Sequence, residues 1–143
     1  MYGSEVHGYV RRMTIEPVVV RGADRRWETW PEHQVAERGD SAWKTLISAG
    51  ETNSTALTLG VSRLPPGGAL RRHRHRPPEV YYVLDGVGVV VIDGARHTIG
   101  AGDAVFVPGD APHSVECPGP ADLQVVYALA ADSFEEVTYI FGE

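Results

Sequence analysis

The chain has 143 residues, of which 43% are hydrophobic and 22% charged, and its formal net charge is -6. A chain of this size and composition is expected to form one globular domain, and its acidic balance argues against nucleic-acid binding. The single cysteine, Cys117, excludes an intrachain disulfide and a cysteine-based zinc site. No run approaches the roughly 20 apolar residues of a membrane span, so we expect a cytoplasmic protein with no membrane partner.

Residues 1–50 are predicted to form an N-terminal arm that packs on the rest of the domain or on a partner subunit. Within it, Pro31–Arg38 is predicted to be one short helix, because proline is favoured at the first helical position. Met13 is an alternative start, which would make residues 1–12 a leader. The arm holds all the tryptophans, which are expected to pack it or to form a lid over a substrate: Trp27, Trp30 and Trp43.

Residues 51–143 have the pattern of an all-β domain. Short β-rich runs alternate with glycine, proline and aspartate turn signals. Asp85-Gly86 and Asp93-Gly94, each between apolar runs, are strong hairpin signals. Many short strands at regular spacing predict an antiparallel barrel or jelly roll. The predicted strands are Ala56–Leu64, Glu79–Leu84, Gly88–Ile92, Ala104–Val107, His113–Glu116 and Leu123–Leu129.

Three histidines and one glutamate have the spacing of a metal site. His73 and His75 are two residues apart, so on a strand their rings share one face and the intervening arginines point away. Glu79 follows a Pro-Pro corner, and His113 comes 34 residues later. This separation is long enough for a later strand to place His113 beside Glu79. Each residue alone also has an ordinary structural explanation, as a surface histidine, a solvated carboxylate or a turn residue. Together, three imidazoles and one carboxylate suit Fe(II), Mn, Ni, Zn or Cu.

The glycines around these residues resemble the first motif of the cupin superfamily. That motif is a glycine, five residues, H-x-H, three or four residues, a glutamate, six residues and a glycine. The chain has Gly67, five residues, His73-Arg74-His75, three residues, Glu79, six residues and Gly86. Every spacing therefore matches.

The second cupin motif is matched with two departures. Gly102 is followed after five residues by Pro108, and His113 falls at the histidine position. The inner glycine, Gly109, is one position early, and Cys117 stands where the family has asparagine. Neither departure removes a ligand, although the turn before His113 is expected to differ in shape.

The resemblance implies an all-β cupin jelly-roll barrel, with the site inside and often a homodimer. It also implies one divalent ion, with Fe2+ favoured and Mn2+, Ni2+, Zn2+ or Cu2+ as alternatives. The implied ligands are His73, His75, Glu79 and His113.

The residues near these ligands supply candidates for catalysis and substrate binding. If Glu79 points inward, strand alternation also turns Tyr81 inward. Tyr81 is then a candidate general base, because a nearby cation favours the phenolate; the alternative is a core tyrosine with a satisfied hydroxyl. Cys117 is expected to be a buried, inert thiol. The candidates for binding a small, partly apolar or anionic substrate are Arg71, Arg63, Phe106, Tyr127 and Tyr139.

Three functions remain open at this point. The placement of Glu79 and Tyr81, the compact length and the tail 131–141 resemble small bacterial cupin lyases that cleave dimethylsulfoniopropionate. That resemblance implies a metal-dependent lyase acting by proton abstraction and elimination. The alternatives are an Fe(II)-dependent dioxygenase, for which the same ligands leave room for oxygen, and a non-catalytic module that binds a small molecule.

Overall fold

The structure is a computed structural model that describes residues 14–142. The alternative start at Met13 and the leader it would create lie outside the described residues. Within the described part of the chain, no helix is long and apolar enough to cross a bilayer.

Two antiparallel sheets form the fold. The larger has the strand order β1-β2-β3-β10-β5-β8, and the smaller has the order β11-β4-β9-β6-β7. This arrangement confirms the predicted jelly-roll barrel. The strands are β1 (Glu28–Thr29), β2 (Ala42–Ile47), β3 (Thr58–Leu64), β4 (Ala69–Arg74), β5 (Glu79–Asp85), β6 (Val87–Ile92), β7 (Ala95–Gly100), β8 (Ala104–Val107), β9 (His113–Glu116), β10 (Leu123–Leu129) and β11 (Ile140–Phe141).

The core lies between the sheets and follows the period of two that strands impose on their side chains. In β10, the alternate residues from Leu123 to Leu129 are buried. In β5, Glu79, Tyr81 and Val83 are buried, whereas the residues between them are exposed. The inward set of β5 thus carries both apolar core residues and the glutamate of the predicted metal site.

The N-terminal segment contributes to the larger sheet. Short 3-10 turns at Gly22–Asp24 and Glu32–Gln34 precede a four-residue α-helix, α1 (Val35–Arg38). The helix predicted over Pro31–Arg38 is therefore α-helical only in its second half. Strand β1 then pairs with β2, and β2 pairs with β3. Part of segment 1–50 therefore packs on the barrel as the edge of its larger sheet.

A bulge in β4 decides which of its side chains face inward. Leu70 pairs with Val115, but the next aligned pair is His73 with His113, so β4 has one extra residue between them. An extra residue breaks the two-residue alternation. As a result, both Leu70 and His73 contribute to the interior, and Arg71 is exposed.

Candidate metal centre

The four predicted ligands come together inside the barrel. His73 lies on β4, His75 directly follows that strand, Glu79 begins β5 and His113 begins β9. One ligand atom from each lies within 4.8 Å of the others. None of the four residues is more than 4% exposed. The structure thus brings together every residue of the predicted ligand set.

Backbone carbonyl groups orient all three imidazoles. In each ring Nδ1 lies within hydrogen-bond distance of a carbonyl oxygen two residues away and donates to it, which leaves Nε2 as the ligand atom. The pairs are His73 with Arg71 at 2.7 Å, His75 with Pro77 at 2.8 Å and His113 with Ala111 at 2.8 Å. Sequence reasoning did not identify these acceptors, because any backbone carbonyl can serve.

The three Nε2 atoms converge on the carboxylate of Glu79. Nε2 of His75 is 2.9 Å from Oε2 and hydrogen-bonded to it. Nε2 of His113 is 3.3 Å from the same oxygen, but it is not aligned for a hydrogen bond. Nε2 of His73 is also buried without a hydrogen-bond partner among the described residues. Two buried nitrogen acceptors without partners are costly, and a metal ion would satisfy both.

The pKa values of these groups follow from burial and from their mutual charges. Burial, reinforced by the charge of His113, lowers the pKa of His73 to about 3. Burial also opposes a charge on His75, but its hydrogen bond to Glu79 outweighs burial and raises the pKa of His75. Burial would raise the pKa of Glu79, yet the adjacent imidazoles of His113 and His75 hold it at about 2. Near pH 7 the cluster therefore contains an ionised carboxylate, Glu79, and a neutral imidazole, His73.

These observations fit a divalent transition metal. Neutral imidazoles and a carboxylate are its preferred ligands, and backbone acceptors already hold the rings in the required tautomer. The turn before His113 contains the inner departure from the family motif. Asp110 occupies the position of the family's inner glycine and has φ 61°, a left-handed conformation that aspartate tolerates better than most residues.

A narrow aromatic cavity of about 50 Å³ adjoins the ligand cluster. Glu79 belongs to both the cluster and the wall of the cavity. Besides Glu79 and the tyrosines, the polar residues of the wall are Ser41 and Ser62. Six aromatic side chains dominate the rest of the wall: Trp30, Trp43, Tyr81, Tyr127, Phe134 and Tyr139.

Two tyrosines, the buried Tyr81 and the partly buried Tyr139, lie next to the ligands. The hydroxyl of Tyr81 donates a hydrogen bond of 3.3 Å to Oε2 of Glu79. The ring of Tyr139 lies 5.2 Å from that of His73 and 5.1 Å from that of His75, between ring centres. Burial and the charge of Glu79 raise the pKa of both phenols above the usual range. Without a bound cation, both are therefore neutral near pH 7.

Three of the predicted substrate residues lie outside the cavity. The prediction for Phe106 is wrong, because β8 turns this side chain to the outer face, where it is 64% exposed. Regular strand alternation would place Arg71 on the same face as His73, but the bulge in β4 turns Arg71 outward. Arg63 packs its guanidinium 4.1 Å from the ring centre of Trp27, away from the cavity wall.

The other predicted residues have defined places. Tyr127 and Tyr139 line the cavity, and the hydroxyl of Tyr127 lies 3.2 Å from that of Thr45. Cys117 is buried, and its thiol donates to the carbonyl of Ala121. Sequence reasoning missed Phe134 in the cavity wall. Its only sequence signal was its aromatic character, because it lies in an irregular segment with no periodicity.

Comparison with known proteins agrees with this fold. A family model described as "Cupin domain" matches residues 60–129. The chain belongs to the cupin family. It is 45% identical over 103 residues to the dimethylsulfoniopropionate lyase DddW of Ruegeria pomeroyi, a match that covers 72% of this chain and 67% of the relative. It is also 33% identical over 93 residues to an oxalate-binding protein of Thermotoga maritima, covering 64% and 77% of the two chains.

Solved structures show the same barrel. The crystal structure of a protein described as a predicted oxalate decarboxylase from Thermotoga maritima has a TM-score of 0.68 and 28% identity, covering 80% of this chain and 99% of that one. The polyketide cyclase RemF from Streptomyces resistomycificus has a TM-score of 0.69 at 21% identity, covering 90% and 88%. The second likeness concerns the fold alone.

Proposed function

We propose that the protein is a metal-dependent lyase that cleaves dimethylsulfoniopropionate, or a similar small carboxylate with a cationic leaving group. The observation that carries the proposal is the position of the Tyr81 hydroxyl, 3.3 Å from Oε2 of Glu79, where the ligand cluster meets the aromatic cavity. The 45% identity to a dimethylsulfoniopropionate lyase supports the same reaction.

The chemistry of the cavity lining suits both ends of such a molecule. Aromatic faces attract a cation, and the attraction increases when water is excluded, to roughly 2 kcal/mol or more per contact. Trp30 and Trp43 pack with ring centres 4.7 Å apart, and Phe134 lies 6.1 Å from Trp43. A sulfonium group would lie against these rings, with its carboxylate directed to the ligand cluster. The indole N–H groups of Trp30 and Trp43 are buried without acceptors among the described residues, so an anionic ligand would also supply an acceptor.

A divalent ion held by His73, His75, Glu79 and His113 would act as a Lewis acid, and its charge would lower the pKa of a substrate C–H bond and of the Tyr81 phenol. The Tyr81 oxygen takes the proton from the carbon next to the substrate carboxylate. The carbon–sulfur bond breaks, its electron pair leaves with sulfur, and a carbon–carbon double bond forms. The products are acrylate and dimethyl sulfide, and Tyr81 then releases its proton to water.

This reaction is a non-redox elimination, so each of the five candidate ions is compatible with it. Fe2+ is the first ion to add to the metal-free protein in the activity assay, followed by Mn2+, Ni2+, Zn2+ and Cu2+. Elemental analysis of protein purified without added metal identifies the resident ion. His75→Ala is the control, because it removes one ligand from the cluster.

The test of Tyr81 is conservative substitution in the metal-loaded protein. Tyr81→Phe is expected to lower acrylate formation by at least about 100-fold, the usual effect of losing a general base, with unchanged metal content. Tyr82→Phe on the same strand is the matched control, because Tyr82 faces outward. Undiminished activity of Tyr81→Phe combined with inactivity of Tyr139→Phe would assign the proton transfer to Tyr139.

Two outcomes would reject the reaction itself. Absence of acrylate and dimethyl sulfide from the metal-loaded protein would exclude dimethylsulfoniopropionate lyase activity. Oxygen uptake coupled to substrate loss, with no turnover under anaerobic conditions, would replace the lyase with the dioxygenase alternative.

Oxalate, which the Thermotoga maritima relative is named for binding, is a poorer fit as a ligand. Oxalate is a small dianion and needs positive or hydrogen-bonding groups around it. The cavity wall has no arginine or lysine among the described residues. Calorimetric titration of the metal-loaded protein with oxalate and with dimethylsulfoniopropionate compares the two ligands directly.

A further inference from the structure

The bulge in β4 places two consecutive arginines on the outer face of the smaller sheet. Between the inward-facing Leu70 and His73, two residues of β4 lie opposite the single residue Ser114 of β9. These two residues are Arg71 and Arg72, and both are exposed. In a regular strand, consecutive side chains point to opposite faces, so two neighbouring arginines would not share one face. The extra residue of the bulge allows both to reach the same side of the sheet.

An open cavity of about 290 Å³ lies at this point of the smaller sheet. Arg71, Arg72 and Ser114 line it together, and the remaining charged side chains of its wall are Glu37 and Glu116. A second cavity of about 250 Å³ shares Arg72 and Ser114 with the first. The two cavities therefore adjoin, with Arg72 and Ser114 between them.

The charges around the first cavity leave it positive. Arg96 forms an exposed ion pair of 3.0 Å with Glu116, so the charge of Glu116 is already balanced. The guanidinium groups of Arg71 and Arg72 have no ion pair or hydrogen bond among the described residues. Within the described part of the wall, Glu37 is then the carboxylate that remains to offset two guanidinium charges. This local excess of positive charge occurs in a chain whose formal net charge is -6.

We propose that this cavity binds a tetrahedral oxyanion, as free phosphate or as the phosphate group of a small metabolite, between the guanidinium groups of Arg71 and Arg72. Each guanidinium presents N–H donors in a planar fork that matches the oxygens of a phosphate group. The hydroxyl of Ser114 supplies a further donor from the neighbouring strand. The adjoining cavity leaves room for the organic part of a phosphate ester. We call this cavity the oxyanion site.

The oxyanion site and the ligand cluster lie on opposite faces of β4. His73 points into the barrel and is 1% exposed, whereas Arg71 and Arg72 point to solvent. The sheet itself therefore separates an oxyanion in this cavity from the metal ligands. The two sites are nevertheless close along the backbone, because the carbonyl of Arg71 accepts the hydrogen bond from Nδ1 of His73. One bulge thus orients a metal ligand on the inside and pairs two arginines on the outside.

The test is calorimetric titration of the metal-loaded full chain, with unbound metal removed, using inorganic phosphate up to about 10 mM at an ionic strength of about 0.15 M. The wild type is expected to bind phosphate at a single site. Arg71→Gln and Arg72→Gln are each expected to raise the dissociation constant at least about 10-fold, because each removes a charge-assisted contact. Both arginines are exposed, so circular dichroism and metal content are expected to stay unchanged. Arg76→Gln is the matched control, since Arg76 is exposed in the same segment but does not line the cavity.

Glycerol phosphate is the second probe, because it carries the same dianion on an organic group. Tighter binding of glycerol phosphate assigns the site to a phosphate ester, and tighter binding of phosphate assigns it to the free ion.

Three results overturn the proposal. The first is that neither probe binds. The second is that Arg76→Gln weakens binding as much as Arg72→Gln, which would indicate general attraction to positive charge. The third is that Arg71→Gln and Arg72→Gln bind phosphate as the wild type does, which would place the phosphate elsewhere, on the metal ion first of all. None of these readouts depends on acrylate formation, so failure of this proposal is distinct from failure of the lyase reaction.

Discussion

Glu79→Gln provides the sharpest test of the electrostatics of the ligand cluster. In the metal-free protein, the imidazoles of His113 and His75 hold the pKa of Glu79 at about 2 instead of 4.5, despite the cost of its burial. That lowering corresponds to about 3 kcal/mol of folding free energy, and the carboxylate is too deeply buried for solvent to screen it. The amide keeps the shape of the side chain and removes its charge.

The sign of the pH dependence follows from the direction of the shift. Because the folded-state pKa is lowered, the stabilisation by Glu79 is present above pH 4.5 and is lost as the pH falls toward 2. Glu79→Gln is therefore expected to lower the free energy of unfolding by about 3 kcal/mol at pH 7, and by progressively less below pH 4.5.

The assay is urea unfolding of both proteins after removal of metal with a chelator. Glu116→Gln is the control, since Glu116 lies in an exposed ion pair with Arg96, and such pairs contribute about 0–1 kcal/mol. A Glu79→Gln effect no larger than that of the control at pH 7 would refute the reasoning. An effect independent of pH would show that packing, and not charge, is responsible.

Three further predictions concern the site and its frame. Metal binding is expected to release about one more proton below the raised pKa of His75 than well above it, because a protonated imidazole cannot bind metal. Calorimetry in buffers of different ionisation enthalpy measures this difference. Leu129→Ala, at a fully buried position, is expected to cost about 2–5 kcal/mol in urea unfolding. Gly86→Ala is expected to destabilise the fold more than Gly94→Ala in the same assay. Both glycines have positive φ, but only at Gly86 would a Cβ collide with a neighbour, the carbonyl oxygen of Asp122; Gly94 borders open space. Equal effects at the two glycines would contradict the collision.

The ligand set was predictable because backbone geometry restricts the residues that frame it. Gly67, Gly86 and Gly102 have φ of 78°, 85° and 90°, a region that side chains other than glycine rarely adopt. Their spacing therefore fixes the ends of the hairpins that carry the ligands. The strands β8, β9 and β10 were also predicted with their observed bounds, because glycine, proline and aspartate turn signals flank each β-rich run.

The features that escaped prediction depend on tertiary contacts. The bulge in β4 changes the parity of Arg71 without any local signal such as a glycine. Strand β7 was missed because four of its six residues are exposed, so it has no apolar alternation. The cavity wall joins Trp30, Trp43 and Phe134 from distant parts of the chain, a meeting that periodicity does not encode.

The candidate ligand set is divided between the two sheets, and under the proposed function this division would link the fate of the protein to its metal supply. His73 and His113 belong to the smaller sheet and Glu79 to the larger one, so a bound ion would tie the sheets together in a chain whose single cysteine is free. Free metal at 100 times its dissociation constant adds about 2.7 kcal/mol to folding stability. A shortage of the ion would thus remove activity and also expose the protein to proteolysis, so that its abundance in the cell would follow the metal it uses.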